Sequence, residues 1–268
     1  MSDKDEKNQI PPLSAKEEVS EFAKTALFAI VLAVLIRSLF YEPFNIPSGS
    51  MQPTLDIGDY LFVHKPAYGY SRHSFPFSIV PINGRLKPAA PKRGDVVVFK
   101  LPTNTRIDYI KRVVGLPGET VQVKDGRLYI DHKIVPRTSL KTELVDVGHG
   151  EKSVLTSYIE TLPGGVQHQI YEVSDDGPLD NTPLYKVPDG HYFVMGDNRD
   201  NSQDSRVTQG VGYVPFENLV GRADFLFFST NGHAALFEFW KWPKTIRYNR
   251  LFTSIAPKYV DEEGTGGT

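Results

Sequence analysis

The sequence contains no cysteine, and its formal net charge is only -2 over 268 residues. Without thiols the chain cannot form disulfides, iron–sulfur clusters or cysteine-ligated zinc sites, so packing must stabilise the fold. Without an excess of basic residues it has no field that attracts nucleic acid, and we expect no nucleic-acid partner. A hydrophobic fraction of 40% and a charged fraction of 23% are those of a globular protein.

Long apolar runs are equally scarce, because residues 25–41 form the one strongly apolar stretch. At 1.5 Å per residue a helix over this stretch is roughly 26 Å long, close to the ~30 Å hydrocarbon layer of a bilayer. Arg37, one turn from the outer end, can extend its guanidinium to the headgroups. We predict a membrane anchor. A cleaved secretory signal and a buried core helix are the alternatives, although the polar leader 1–24 disfavours the signal.

Basic residues predict the orientation of this anchor. Residues 42–59 contain no lysine or arginine, whereas four lysines precede the helix: Lys4, Lys7, Lys16 and Lys24. Since positive charge is enriched on the cytoplasmic side of membranes, the tail 1–24 is predicted to be cytoplasmic and everything after Glu42 to lie outside.

The outer part is predicted to be mainly β. Short runs rich in β-branched and aromatic residues predict strands over 60–64, 95–99, 107–114 and 191–195. A hairpin joins 121–124 to 127–130, because Asp125 and Gly126 can both take positive φ in a two-residue turn. Residues 136–188 are weakly patterned and are interpreted as a loose insertion.

Ser50 lies shortly after the apolar run, in the segment PSGSMQPT at 47–54. A serine hydroxyl is a poor nucleophile at neutral pH and needs a base within hydrogen-bond reach. None of the seven histidines lies in a setting typical of a hydrolase triad, and no G-x-S-x-G elbow surrounds Ser50. His64, on a predicted strand, is the best histidine candidate and stays an alternative.

Lys111 is the stronger candidate for the base. In the strand 107–114, side-chain alternation places it on one face with Ile107, Tyr109 and Val113. To act at neutral pH its pKa must fall by roughly 2 to 3 from an ordinary value of about 10.4, and an apolar face supplies the desolvation. The alternative is an ordinary strand lysine whose head reaches water.

The segment GDNRDNSQDSR at 196–206 is too polar for a strand interior and indicates a structured loop or a site. A calcium loop does not fit, because Gln203 stands where glycine is required and Gln209 where the bidentate glutamate belongs. We therefore expect no metal. A solvated turn is one alternative, but the hydroxyl, carboxylates and guanidiniums favour a hydrogen-bonded network.

Three segments, at 47–55, 109–118 and 196–206, resemble in the same order the sequence boxes of bacterial type I signal peptidases, and 93–99 resembles a fourth. The resemblance implies a Ser/Lys serine endopeptidase that removes N-terminal signal peptides from secretory preproteins at the outer, periplasmic face of the cytoplasmic membrane. It also implies a two-lobed, LexA-like β fold on one transmembrane helix, with no cofactor. The expected partners are signal peptides and the lipid bilayer.

The resemblance also implies a role for each matching residue. Ser50 corresponds to the nucleophile and Lys111 to the general base. The Ser48 hydroxyl corresponds to the group that forms the oxyanion hole with the Ser50 backbone N–H. The supporting polar residues are Ser202, which orients the lysine amine, and the ion pair of Asp204 and Arg206.

Substrate binding follows from the same resemblance. Family substrates carry small residues one and three positions before the cut, which implies shallow apolar pockets. The extended end of a signal peptide is expected to add as a strand beside Asp108, Tyr109 and Ile110.

Four aromatic residues near two lysines have the character of a bilayer-facing surface, with core packing as the alternative: Phe237, Phe239, Trp240 and Trp242.

The predicted division of the chain has five parts: a cytoplasmic tail 1–24, an anchor 25–41, a catalytic β domain 42–118 and 189–255, an inserted β lobe 119–188 and a disordered tail 256–268. Two departures from the family are visible, a single span and the intervening residues VTQGVG at 207–212. The alternative functions are a specialised Ser/Lys peptidase for a pilus or transfer protein, a repressor-like relative, which the anchor disfavours, and a non-catalytic membrane-anchored β binding module.

Overall fold

The computed structural model describes residues 14–75, 78, 80–148, 151–232 and 234–260. It begins with helix α1, Ala15–Leu39, which is long and apolar enough to cross a membrane and whose most apolar stretch is not buried in the protein. The Ser14 hydroxyl accepts from the Glu17 N–H while the Glu17 carboxylate accepts from the Ser14 N–H, a capping box. This cap starts the helix well before the predicted 25–41, so much of the leader is helical.

The strands form three antiparallel sheets in the described chain, and their labels follow chain order. The largest sheet has the order β1-β2-β14-β3-β4-β12-β13. Its strands are β1 Tyr41–Asn45, β2 Asp59–His64, β3 Val96–Leu101, β4 Asn104–Gly115, β12 His191–Met195, β13 Val214–Pro215 and β14 Leu219–Ser229.

Two smaller sheets are built mainly from the chain between β4 and β12. One has the order β11-β5-β6-β7, with β5 Thr120–Lys124, β6 Arg127–Ile130, β7 Lys133–Ile134 and β11 Tyr185–Lys186. The other has the order β15-β10-β9-β8, with β8 Arg137–Gly148, β9 Glu151–Leu162, β10 Val166–Glu172 and β15 Lys258–Tyr259. A short helix α2, Trp242–Thr245, follows β14. A mainly β fold is therefore confirmed, while the boundaries between lobes stay a prediction.

The large sheet is buried on both faces at β3. Val96 and Val98 join one apolar cluster, whereas Val97 and Phe99 join another on the opposite face. Such double burial explains why residues 96–99 form an uninterrupted apolar run and not an alternating one. Lys111 of β4 pairs directly with Val97, so this lysine lies next to the most deeply buried strand.

The local sequence signals were mostly confirmed. The strand 191–195 has the predicted bounds, and the predicted hairpin forms with φ of 47° at Asp125 and 67° at Gly126. Residues 136–188 are more regular than predicted, because β8 and β9 form a hairpin with 12 residues in each strand. Exposed apolar residues such as Leu144 and Val154 hide its pattern, since alternation marks a strand only when one face is buried.

The predicted disordered tail 256–268 is partly wrong. Residues 258–259 form β15, which pairs with β10, and the Val260 N–H donates to the Gly165 carbonyl at 2.9 Å. The tail is held because an edge strand offers it unpaired backbone groups, a partner that local composition does not reveal. Residues 261–268 lie outside the described residues.

Leu61→Ala tests the main core. Leu61 is fully buried, so the substitution is expected to lower the free energy of unfolding by about 2–5 kcal/mol through lost burial and a residual cavity. Denaturant unfolding of the full chain in detergent measures the change. Leu144→Ala, at a leucine that is 62% exposed, is the matched control and should stay within about 0.5 kcal/mol of the wild type. Equal effects of the two substitutions would contradict this core.

Candidate active site

Ser50 and Lys111 meet across the large sheet. Ser50 lies in the short helical turn Gly49–Met51 that follows β1, and Lys111 projects from β4. The Lys111 Nζ is 2.7 Å from the Ser50 Oγ and also donates to the Ile110 carbonyl at 2.8 Å. The two side chains are therefore within proton-transfer distance of each other.

The lysine amine is almost completely removed from water. Lys111 is only 4% exposed, and its Nζ lies 5.5 Å from the centroid of the Tyr109 ring. Burial lowers the pKa of Lys111 to about 8, against the opposing pull of the Asp204 and Asp197 carboxylates. At pH 7 about one such amine in ten is neutral, compared with about one in a thousand for a free lysine. The neutral form needed for a base is accessible.

An apolar cavity opens beside this pair. It has a volume of about 450 Å³ and is lined by Phe44, Ile46, Val98 and Ile110, with Ser50 and Lys111 also in its wall. The predicted substrate-binding residues Asp108, Tyr109 and Ile110 line the same cavity. The Ser48 hydroxyl lies 3.5 Å from the Ser50 Oγ, on the exposed side of the turn. The arrangement provides an apolar binding surface next to a hydroxyl and an amine.

The polar segment 196–206 forms a buried support behind this pair. Arg206 binds both carboxylate oxygens of Asp204, each at 2.9 Å, and Asp204 also accepts the Gly196 N–H at 3.0 Å. Burial alone would raise the pKa of Asp204, but the Arg206 guanidinium holds it below its ordinary value. The predicted ion pair is present. The Ser202 hydroxyl is buried, but among the residues that the structure describes it makes no hydrogen bond to Lys111.

A second buried ion pair was not predicted. Arg112 binds Asp197 through its Nε at 2.8 Å and its Nη2 at 2.6 Å, and Thr54 donates to the same carboxylate at 2.5 Å. Next along the loop, Asn198 donates through its backbone N–H to the Ser50 carbonyl and through its side chain to the Gly49 carbonyl, each at 3.1 Å. The loop therefore fixes the backbone of Ser50. The signal in the sequence was Arg112 itself, a cation beside Lys111 on a buried strand.

His64 does not take part in this arrangement. Its ring stacks on Tyr41 with centroids 5.0 Å apart, and it does not line the cavity. Within the described part of the chain His64 makes no hydrogen bond to Ser50. The geometry thus favours the lysine over the histidine as the partner of the serine.

Comparison with known proteins identifies the family. Residues 19–228 match the family model described as signal peptidase, peptidase S26. Signal peptidase I of Rickettsia conorii is 39% identical over 259 residues, which cover 90% of this chain and 94% of that protein. The chain belongs to the S26 signal peptidase family. Signal peptidase I of Rickettsia canadensis is also 39% identical, over 87% of this chain and 92% of that protein.

Among solved structures, a signal peptidase I from Enterococcus faecalis V583 is 28% identical, covers 50% of this chain and 97% of its own, and has a TM-score of 0.29. The family assignment confirms the resemblance predicted from the three sequence boxes, and it makes the chain a peptidase.

Gly196→Ala tests the support behind the serine of this S26 peptidase. A Cβ at residue 196 would lie 2.6 Å from the Ser50 carbonyl oxygen and would also collide with the Ser202 side chain. We expect kcat/KM to fall by about 100-fold, because a shift of about 1 Å at a reacting group costs that much. Peptidase assays combined with denaturant unfolding measure the effect.

Gly210→Ala is the control, because its Cβ would meet only side-chain atoms closer than 3.4 Å, those of Val207 at 3.1 Å and Gln203 at 3.2 Å. Segment 196–206 does not position Ser50 if Gly196→Ala folds normally and keeps full activity.

Proposed function

We propose that this protein is a membrane-anchored serine endopeptidase that removes N-terminal signal peptides from exported preproteins, with Ser50 as nucleophile and Lys111 as general base. The observation that carries the proposal is the 2.7 Å separation of the Lys111 Nζ and the Ser50 Oγ in a buried site beside an apolar cavity. A buried amine with a pKa near 8 can accept the hydroxyl proton without a histidine.

The proposed reaction uses the lysine twice. Neutral Lys111 takes the Ser50 proton as the Oγ attacks the scissile carbonyl, and the Ser50 N–H and the Ser48 hydroxyl stabilise the oxyanion. The Lys111 ammonium then gives its proton to the departing amine of the mature protein, which leaves an ester on Ser50. Neutral Lys111 then accepts a proton from water as that water attacks the ester. The Lys111 ammonium returns this proton to the Ser50 Oγ as the ester bond breaks and the signal peptide leaves, which regenerates the starting pair. Neither step requires a metal or a cofactor.

The edge of β4 supports strand addition by the substrate. β12 pairs only with residues 112–115 of β4, whereas β3 pairs with residues 104–112. In the described chain the other edge of β4 over 105–111 therefore has no neighbouring strand, and the cavity lies beside it. An extended peptide that binds this edge would place alternate side chains in the cavity beside Phe44 and Ile110.

The helix α1 and three exposed aromatic residues support membrane attachment. Phe237, Phe239 and Trp240 are 84%, 67% and 64% exposed, whereas Trp242 packs against Phe228 with ring centroids 4.9 Å apart. Core packing thus accounts for only one of the four aromatic residues. We propose a single-pass topology in the cytoplasmic membrane, with the N-terminus inside and the β sheets on the periplasmic side, as the distribution of lysines predicts.

Substitution of the two proposed catalytic groups tests the function directly. Ser50→Ala and Lys111→Ala are each expected to lower kcat/KM for a signal-peptide-bearing preprotein by at least about 10³-fold, because either loss disables the pair as a unit. His64→Ala is the control and should retain most of the activity. Circular dichroism and thermal unfolding establish that each variant is folded. The dyad is wrong if His64→Ala abolishes turnover while Lys111→Ala does not.

The pH dependence provides an independent test of the base. Because Lys111 acts in its neutral form and burial lowers its pKa to about 8, kcat/KM should rise as the pH rises through about 8 and then level off. Initial rates with a peptide substrate that has no titrating group in this range measure the midpoint. A midpoint near 6.5 would instead indicate a histidine base.

A further inference from the structure

A second cavity lies between the outer end of α1 and the substrate-binding edge of β4. It has a volume of about 700 Å³ and shares Phe44 and Asp108 with the cavity beside Ser50. Val34 and Arg37 of α1 form one wall, and Lys100 and Arg106 form part of another. The cavity therefore lies between the proposed anchor and the large sheet, where the chain leaves the apolar helix.

The position of this cavity relative to α1 is set by several contacts. The Tyr70 hydroxyl donates to the Leu39 carbonyl at 2.7 Å, and the Lys65 N–H donates to the Phe40 carbonyl at 3.0 Å. Arg37 binds Glu42 through its Nη2 at 2.7 Å. The last turn of the helix is thus held to the sheet, and the cavity is a defined part of the fold.

The cavity carries an excess of positive charge. Three cations line it, Arg37, Lys100 and Arg106, against two carboxylates, those of Glu42 and Asp108. Glu42 binds both Arg37 and the buried ammonium of Lys65, and Asp108 binds Lys100 at 2.9 Å. With Lys65 included, four cations face two carboxylates.

Two other charged groups close to the cavity, Arg72 and Glu217, act on His73 with opposite sign. Burial lowers the pKa of His73, which also lines the cavity, to about 4, so this histidine is neutral at neutral pH. Arg106 is exposed and has no ion-pair partner in the described ranges. One guanidinium is thus available to an anion that enters the cavity.

We propose that this cavity binds the phosphate of an anionic glycerophospholipid from the outer leaflet, with Arg106 as its principal contact. The inference rests on the proposed membrane topology, which brings the end of α1 to the headgroup level. A phospholipid beside α1 would place its acyl chains against the exposed leucines of the helix and its phosphate at the level of Arg37. The ligand then matches both the apolar wall and the unpaired guanidinium of Arg106.

The rival occupant is the upstream part of a signal peptide, since the cavity continues the substrate groove. The apolar segment of such a peptide presents no anion, so it would leave the positive charge unmatched. A lipid bound in this cavity would lie next to the incoming peptide and would hold the substrate groove at the membrane surface. Occupancy by the peptide is a possible outcome of the experiment.

The test uses the full-length protein in phosphatidylcholine vesicles that contain a photoactivatable phosphatidylglycerol. We expect the lipid to label the segments of this protein that line the cavity. Arg106→Ala should lower this labelling about fivefold, which is the effect of one basic residue at an anionic surface. Arg106→Glu should lower it further. Lys133→Glu, a charge reversal at an exposed lysine of β7, is the matched control and should leave the labelling unchanged.

Cleavage of a soluble signal-peptide substrate in lipid-free detergent is measured in parallel. If the wild-type protein does not cleave this substrate, the proposed function is wrong. The labelling result is separate, because it does not depend on catalysis. The proposal is overturned if Arg106→Glu is labelled as strongly as the wild type, or if photoactivatable phosphatidylcholine labels the cavity equally well. It is also overturned if Arg106→Glu keeps its lipid labelling but raises KM for substrates with a longer apolar segment, because the cavity then holds the peptide.

Discussion

The removal of water from one amine is the constraint on which the site depends. Lys111 is 4% exposed, and that burial lowers its pKa to about 8. Two carboxylates lie close enough to oppose the shift, yet each is already bound to a guanidinium, Asp204 to Arg206 and Asp197 to Arg112. Because an arginine offsets each negative charge locally, desolvation remains the larger effect at the lysine. Because of these two ion pairs, the carboxylates can lie near Lys111 without raising its pKa back to the ordinary value for lysine.

Strand β4 carries both the buried lysine and an exposed edge. Residues 111–115 are buried, with β3 paired as far as Arg112 and β12 from Arg112 onward, whereas residues 104–108 are exposed. A strand that was buried along its whole length would leave no edge for an extended peptide. A strand exposed along its whole length would leave the amine in water. The shortness of β12 allows one strand to have a buried lysine and an open edge, because β12 covers only the part of β4 beyond the lysine.

Turn chemistry could be predicted from the sequence, whereas the contacts that hold the serine backbone could not. Asp125-Gly126 specified its hairpin, because two adjacent residues that accept positive φ define a turn by themselves. Ser50 and Lys111 were predicted as partners from a strand period together with the resemblance of their segments to those of type I signal peptidases. The contact of Asn198 with the Ser50 backbone, by contrast, joins segments far apart in the sequence, and no local pattern encodes it. The β8–β9 hairpin was missed for a different reason, since apolar residues on its solvated surface obscure the alternation.

Buried charge explains why the loop after β12 holds its position. Arg199 binds the Glu160 carboxylate of β9, and the His168 ring of β10 lies between that carboxylate, at 3.2 Å, and the carboxylate of Asp197, at 3.4 Å. Burial would raise the pKa of Glu160, but Arg199 lowers it to about 2, so it remains an anion. Such pairs add little net stability, because their desolvation offsets most of their attraction. Their effect is on geometry. An apolar contact tolerates sliding, whereas a guanidinium on a carboxylate allows few arrangements, and the loop that holds the Ser50 backbone is fixed to the neighbouring sheet by bonds of that kind.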